Sequence, residues 1–284
     1  MAGSGTDGIW RCGPRSFDLS RPVVMGILNV TPDSFSDGGE FFDPVAAYTR
    51  GHEIVDEGGA IVDVGGESTR PGASETFVEQ ELARIRPVVS SLADSGISVS
   101  VDTRHPDVAT ACVASGASII NDVGGFRDAA MRDVAVGCDA GLVVMHMLGE
   151  PGTMQDEPTY GDVVAEVGSW LVRQAQLLEF AGVAHERIVI DPGIGFGKTV
   201  EHNLELLRRL PDLASLGYPV LVGASRKRFL GSITGENEPR KRVAGSIAAA
   251  VWAVTHGASV VRVHDVLETV RAVQVASAIE RGEP

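Results

Sequence analysis

Arg240–His264 reads RKRVAGSIAAAVWAVTHGASVVRVH, and three kinds of local order succeed one another inside it. Arg240–His256 is an Ala-rich stretch long enough for a helix. Gly257 stands where a helix end takes up the left-handed cap conformation, which a side chain disfavours. Val260–His264 is a short β-branched run, too short for a typical helix and suited to a buried strand. Arg262 and His264 alternate along that strand, so both point to the same side. Two cationic side chains facing one way at a strand end read better as an anion site than as core, because a buried Arg needs a partner.

This unit repeats along the chain. Gly59-Ala60 and Gly116-Ala117 mark the same step from helix to strand. Apolar runs recur at Val23–Leu28, Ile61–Gly66, Ile97–Asp102, Ser118–Asp122, Leu142–His146, Ile188–Asp191, Pro219–Ser225 and Val260–His264. Helix-like stretches lie between them at Pro44–Glu57, Glu79–Ser95, Pro106–Ser115, Gly161–Ala181, His202–Leu210 and Arg240–His256. The last but one is expected to stop before Pro211. Strands alternating with helices predict an α/β fold, and eight such units predict a closed parallel (β/α)8 TIM barrel. An open doubly wound sheet would carry a Gly-rich fingerprint after its first strand. Here that strand runs into Asn29-Val30-Thr31-Pro32-Asp33. IWRCGPRSFDL, Ile9–Leu19, reads as a short N-terminal β-hairpin turning at Gly13-Pro14 and covering the barrel's amino-terminal end. The expected organisation is a hairpin extension over residues 1–20 and one catalytic barrel domain over residues 21–284.

Composition agrees with that architecture. Of 284 residues 44% are hydrophobic and 22% charged, which suits a large buried core. Aromatic residues are scarce at 5%, and parallel strands buried on both faces favour small branched side chains. The formal net charge of −14 argues against nucleic acid, since phosphates would repel it. A phosphorylated small molecule remains compatible where a few cations converge. Cys12, Cys112 and Cys138 fit no zinc or disulfide spacing and are expected to be reduced thiols. No apolar run is long enough to span a membrane and the start lacks a signal-peptide pattern, so a cytoplasmic protein with no membrane partner is expected.

The chemistry gathers just beyond the strands: Asn29, Glu67-Ser68-Thr69-Arg70, Asp102, Asn121-Asp122, His146, Asp191, Ser225-Arg226-Lys227, and Arg262 with His264. Polar residues at every carboxyl-terminal strand end are what a barrel active site requires. Taken singly, Asp102 also reads as a helix cap, Asn121 as a turn residue and His146 as a packed residue. Met145 and Met147 read as pocket wall. Glu81 with Arg84, and Glu205 with Arg208 and Arg209, read as solvated helix faces. Gly195–Thr199 resembles the end of a P-loop, but Pro192 occupies the place of its first glycine. As a set, Arg70, Lys227, Arg262 and His264 can neutralise a diphosphate, while Asp102, Asn121, Asp191 and Lys227 can read the edges of a flat heterocycle. Asn29–Asp43, Gly65–Thr76 and Leu148–Thr159 read as long loops on that face, the first two as lids.

MGILNVTPDSFSDGG (Met25–Gly39) and VDVGGESTRPGA (Val62–Ala73) resemble the two signature loops of the dihydropteroate synthase family. The resemblance continues through Ser100–Thr103, Ile119–Asp122, DPGIGFGK at Asp191–Lys198, VGASRK at Val222–Lys227 and RVHDV at Arg262–Val266. It implies a transferase of folate synthesis that joins 6-hydroxymethyl-7,8-dihydropterin diphosphate to p-aminobenzoate with Mg2+, and a target of sulfonamides, which mimic p-aminobenzoate. The implied catalytic residues are Asp102, Asp191, Lys227 and Arg262. The implied pterin site is Asp102, Asn121, Asp191 and Lys227, walled by Met145, Phe196 and Gly223. Arg70, Arg262 and His264 would meet the diphosphate, and Asn29 the Mg2+. Phe35, Thr69, Arg70, Pro71, Ser225 and Lys227 would hold p-aminobenzoate. A homodimer through outer helices such as Val243–Val254 is also implied. Three alternatives stand beside this reading: a methyltetrahydrofolate-binding methyltransferase barrel, which has no use for the cationic set; an aldolase using Lys227 as a Schiff base, for which Arg226-Lys227-Arg228 looks too polar; and a non-catalytic pterin binder.

Overall fold

The computed structural model describes residues 8–31, 44–67, 76–150 and 152–283. Strands β1 (Ile9–Cys12) and β2 (Arg15–Asp18) form an antiparallel hairpin. Eight further strands follow: β3 (Val23–Asn29), β4 (Ile61–Gly65), β5 (Val99–Asp102), β6 (Ile119–Asp122), β7 (Gly141–Met145), β8 (Ile188–Asp191), β9 (Val220–Val222) and β10 (Ala258–Val263). They pair in chain order, each parallel to the next, and β10 pairs with β3 to close the barrel.

The helices are α1 (Pro44–Asp56), α2 (Val78–Asp94), α3 (Pro106–Ala114), α4 (Ala129–Val136), α5 (Val163–Phe180), α6 (Val200–Arg208), α7 (Leu210–Ala214), α8 (Arg228–Thr234), α9 (Val243–Thr255) and α10 (Val266–Arg281). Pro211 does not simply end a helix as expected. The chain turns at Arg209 and restarts as α7, with the proline in its first turn, where its missing N–H costs nothing. Among the described residues four helices escaped the sequence reading, namely α4, α7, α8 and α10. The first three are short, and α4 begins only after Asp128 accepts the Ala130 N–H as a side-chain cap.

Strand parity divides the interior in two. Val24, Leu28, Val62, Val64, Val99, Val101, Ile120, Leu142, Val144, Ile190, Val222 and Val261 face outward and pack under the helices in one continuous core. Met25, Ile61, Ile119, Val143, Val189, Leu221 and Val260 face inward and fill the barrel's lower half. The hairpin belongs to this second cluster, for Trp10 and Cys12 are fully buried against it. The Trp10 indole donates to the Arg187 carbonyl at 2.9 Å, and the Gly13 N–H donates to the Asp139 carbonyl at 2.7 Å. Gly141, at the start of β7, leaves no room for a Cβ beneath Trp10 and Cys12. The hairpin therefore plugs the amino-terminal end, and any site must open at the other.

Truncating a fully buried Trp forfeits its transfer energy and leaves a cavity. Trp10→Ala is expected to lose about 3–5 kcal/mol in denaturant unfolding, with the folded fraction still active. A loss below about 1 kcal/mol would show that the plug is dispensable.

Candidate active site

The inward parity that fills the lower barrel continues upward into polar residues. Two residues above Ile61 stands Asp63, above Ile119 stands Asn121, above Val189 stands Asp191, and above Val260 stands Arg262. The barrel thus changes from apolar to ionic along its axis, with the ionic layer at the carboxyl-terminal mouth.

Arg262 is the hub of that layer. Its Nε donates to Asp63 Oδ2 at 2.6 Å and its Nη2 donates to Asp102 Oδ2 at 2.5 Å. Asn121 Nδ2 donates to the same Asp63 oxygen at 3.3 Å. Asp63 is fully buried. The sequence reading did not select it. The signal was a lone carboxylate inside the apolar run IVDVG, in step with Ile61 and therefore facing the barrel interior. Asp102 is not a helix cap. His105 holds the N-cap position of α3.

Burial alone would lower the pKa of Arg262, but the Asp63 and Asp102 carboxylates outweigh it and keep the guanidinium charged. Burial pushes Asp102 above the usual carboxylate range, against the pull of Arg262. Asp191 is raised to about 6 by burial, opposed by the Gly193 N–H and by Lys227 and Arg262. The Gly193 N–H reaches Asp191 Oδ1 at 2.7 Å. Lys227 is lowered to about 8 by burial and by the charge of Arg262. Its Nζ lies 3.9 Å from the centroid of the Phe196 ring, a cation–π contact. Its setting is thus less polar than Arg226-Lys227-Arg228 suggests, because Arg226 turns away to an ion pair with Asp265.

One wall is apolar: Val123, Met145, Met147 and Met154 pack together with Phe196. Gly223 follows β9, and a Cβ there would come within 3.8 Å of the Arg262 side chain. The loop read as Leu148–Thr159 is tied down, since Gln155 donates to the Gly195 carbonyl at 2.7 Å. Behind this wall His146 and Lys198 are buried together, His146 Nδ1 lying 3.0 Å from Lys198 Nζ. Burial and the lysine lower His146 to about 3, and burial lowers Lys198 to about 7. His146 is a neutral packing residue, in the sense its sequence context indicated.

Ser225 and His264 meet at the rim, Ser225 Oγ lying 3.0 Å from His264 Nδ1. Asn29 stands half-buried at the end of β3, paired with Gly65. Phe35, Thr69, Arg70 and Pro71 lie outside the described residues. Asp122 is a turn residue, accepting the Gly124 and Phe126 N–H groups. Glu81 corrects the sequence reading of a solvated face: it is fully buried. It lies one turn before Ile85 on the stripe that continues through Val88, Val89 and Leu92 into the core.

Residues 25–264 match the family model described as "Pterin binding enzyme". Dihydropteroate synthase of Escherichia coli K12 is 46% identical over 264 residues, covering 93% of both chains. The chain belongs to the dihydropteroate synthase family. The structure of the Xanthomonas albilineans dihydropteroate synthase with 4-aminobenzoic acid superposes with a TM-score of 0.91 at 47% identity, covering 97% of this chain and 99% of that one. That of the Burkholderia cenocepacia dihydropteroate synthase complexed with 7,8-dihydropteroate gives 0.89 at 46% identity, covering 96% and 97%.

The charges set a pH dependence. Asp191 must be a carboxylate to accept from a ligand N–H, and its raised pKa means that this is lost as pH falls through about 6. Lys227 must be protonated to donate, and its lowered pKa means that this is lost as pH rises through about 8. A bell-shaped kcat/KM with limbs near those values is expected for the free enzyme. A flat profile from pH 5 to 9 would contradict the assignment of either group.

Proposed function

We propose that this chain condenses 6-hydroxymethyl-7,8-dihydropterin diphosphate with p-aminobenzoate, giving 7,8-dihydropteroate and diphosphate. The observation that carries the reading is Arg262, held charged between Asp63 and Asp102 in a ring completed by Asn121, Asp191 and Lys227. An Arg has five N–H donors, so those not turned to Asp63 and Asp102 are left for an anion. Asp102, Asn121, Asp191 and Lys227 supply the acceptors and donors that a pterin edge requires, and Phe196 with Met145 supplies a flat apolar wall for its ring.

The reaction breaks the C–O bond between the pterin methylene and the diphosphate, and the electron pair leaves with the oxygen. Arg262, with His264 and Arg70, meets the negative charge that develops there. The positive charge left on the methylene spreads into the pterin ring, where Asp102 and Asp191 stabilise it from fixed positions. The arylamine lone pair then forms the C–N bond and its surplus proton passes to water. An arylamine is nucleophilic without a strong base, so His146 has no chemical step to perform. Ser225, Lys227, Phe35, Thr69 and Pro71 are assigned to p-aminobenzoate.

Mg2+ prefers oxygen ligands, keeps several waters and is commonly shared with substrate phosphates. Asn29, one neutral amide oxygen at the mouth, fits that donor set with the diphosphate as the main partner. When bound there, the ion would neutralise charge on the departing diphosphate. The same proposal places the protein in the cytoplasm, in keeping with the lack of any described helix long and apolar enough to cross a membrane. It also includes a homodimer, supported by Val275 and Ile279, which stand exposed on α10 beside α9.

Diphosphate release from the pterin substrate is expected to require both p-aminobenzoate and Mg2+, with dihydropteroate formed in equal amount. Lys227→Ala and Asp102→Ala are expected to lower kcat by at least about 100-fold with the fold intact. Arg262→Ala is expected to weaken diphosphate binding by calorimetry. Near-parental rates in the first two, or unchanged affinity in the third, would overturn the assignment.

A further inference from the structure

Glu67, Glu81 and His105 come from three neighbouring parts of the fold: the end of β4, the first turn of α2 and the turn between β5 and α3. One ligand atom from each lies within 4.8 Å of the other two. His105 Nε2 is 3.6 Å from Glu67 Oε2 and 3.8 Å from Glu81 Oε2. Those separations are too long for hydrogen bonds, which fall near 2.7–3.2 Å. They match the edge of a tetrahedron around a metal ion, about 3.4 Å for ligand bonds of about 2.1 Å.

Glu81 is the second, independent observation. It is fully buried, and beyond a contact with the Thr103 hydroxyl its oxygens have no hydrogen bond of ordinary geometry among the described residues. His105 Nε2 is likewise buried and unbonded. A fold does not normally leave three buried polar atoms facing one another without a common partner. Glu67 is already held by Arg104, Nε to Oε2 at 3.0 Å and Nη2 to Oε1 at 3.2 Å, but a carboxylate has about four lone-pair sites and can accept more.

We propose that Glu67, Glu81 and His105 bind a divalent first-row transition ion of the zinc class, in a site separate from the Asn29–diphosphate position. One imidazole and two carboxylates form the ligand type that such an ion accepts, and water would complete the tetrahedron. Mg2+ disfavours it, because an imidazole nitrogen replaces the oxygen that Mg2+ requires. Glu67 Oε1 also accepts the Thr76 N–H at 3.2 Å, so the site is tied to Thr76 as well.

The test is a titration of the metal-free full-length protein with Zn2+, and with Co2+ read by visible absorption, in excess Mg2+. The expected result is one equivalent bound per chain with tetrahedral Co2+ bands. His105→Ala and the isosteric Glu81→Gln should each weaken binding by about 100-fold while the circular dichroism is unchanged. Anomalous scattering from a Zn2+-soaked crystal should place the ion between the three side chains. No binding, octahedral bands only, equal affinity in the variants, or an ion located elsewhere would each overturn the proposal. Were His105→Ala to fail to fold, Glu81→Gln and the anomalous map would still decide it.

Discussion

A guanidinium inside a barrel has to be paired, and the position of Arg262 sets the terms for everything around it. A buried Arg without partners would be strongly destabilising, and removing one member of a buried pair typically costs about 3–5 kcal/mol. Asp63 and Asp102 supply the pairing from two neighbouring strands, and Asn121 extends it to a third. Their placement follows from parity: each rises directly above an inward-facing residue or lies in the same layer of the mouth. The hairpin with Trp10 closes the opposite end. Once the lower half is filled by apolar side chains and the bottom plugged, the ionic layer has one face open, and substrate must arrive there.

The same geometry accounts for the division of labour. Lys227 and Asp191 sit in reach of the field of Arg262, and each is shifted from its ordinary range, the lysine to about 8 and the aspartate to about 6. At neutral pH one donates and the other accepts without any protonation step. Under the proposed function, a heterocycle would be oriented by these fixed charges, and a diphosphate would meet a guanidinium that cannot lose its proton. The neutral His146 and the buried Lys198 stiffen the wall behind the pocket by hydrogen bonding, Lys198 donating to the Phe196 carbonyl at 2.9 Å. The reaction demands electrostatic placement more than proton transfer, and the site provides that.

Much of this was legible in the sequence. The eight apolar runs, the Gly-Ala steps and the polar strand ends fixed both the barrel and its working face, and Asp102, Asn121, Asp191, Lys227 and Arg262 do converge there. What escaped notice has a physical reason in each case. Asp63 lies within a strand instead of after one, so an eye trained on strand ends passes over it. Glu81 has charged neighbours in sequence, and only its spacing from Ile85 shows that it faces inward. The Pro211 turn depends on a proline at a helix start being permitted where one inside is not. Short helices such as α4 rest on a single capping contact and leave almost no periodic trace. Phe35, Thr69, Arg70 and Pro71 stand on the sequence and the family alone.

If Arg262 is held in place by its partners, then Asp63, which touches no substrate atom in this account, must still govern turnover. The most direct measurement is kcat/KM for the pterin diphosphate in Asp63→Asn, a change that keeps the shape and removes the charge. A folded protein is expected whose kcat/KM falls by at least about tenfold, with the loss restored in no degree by saturating p-aminobenzoate. Parental kinetics in a folded Asp63→Asn protein would contradict it.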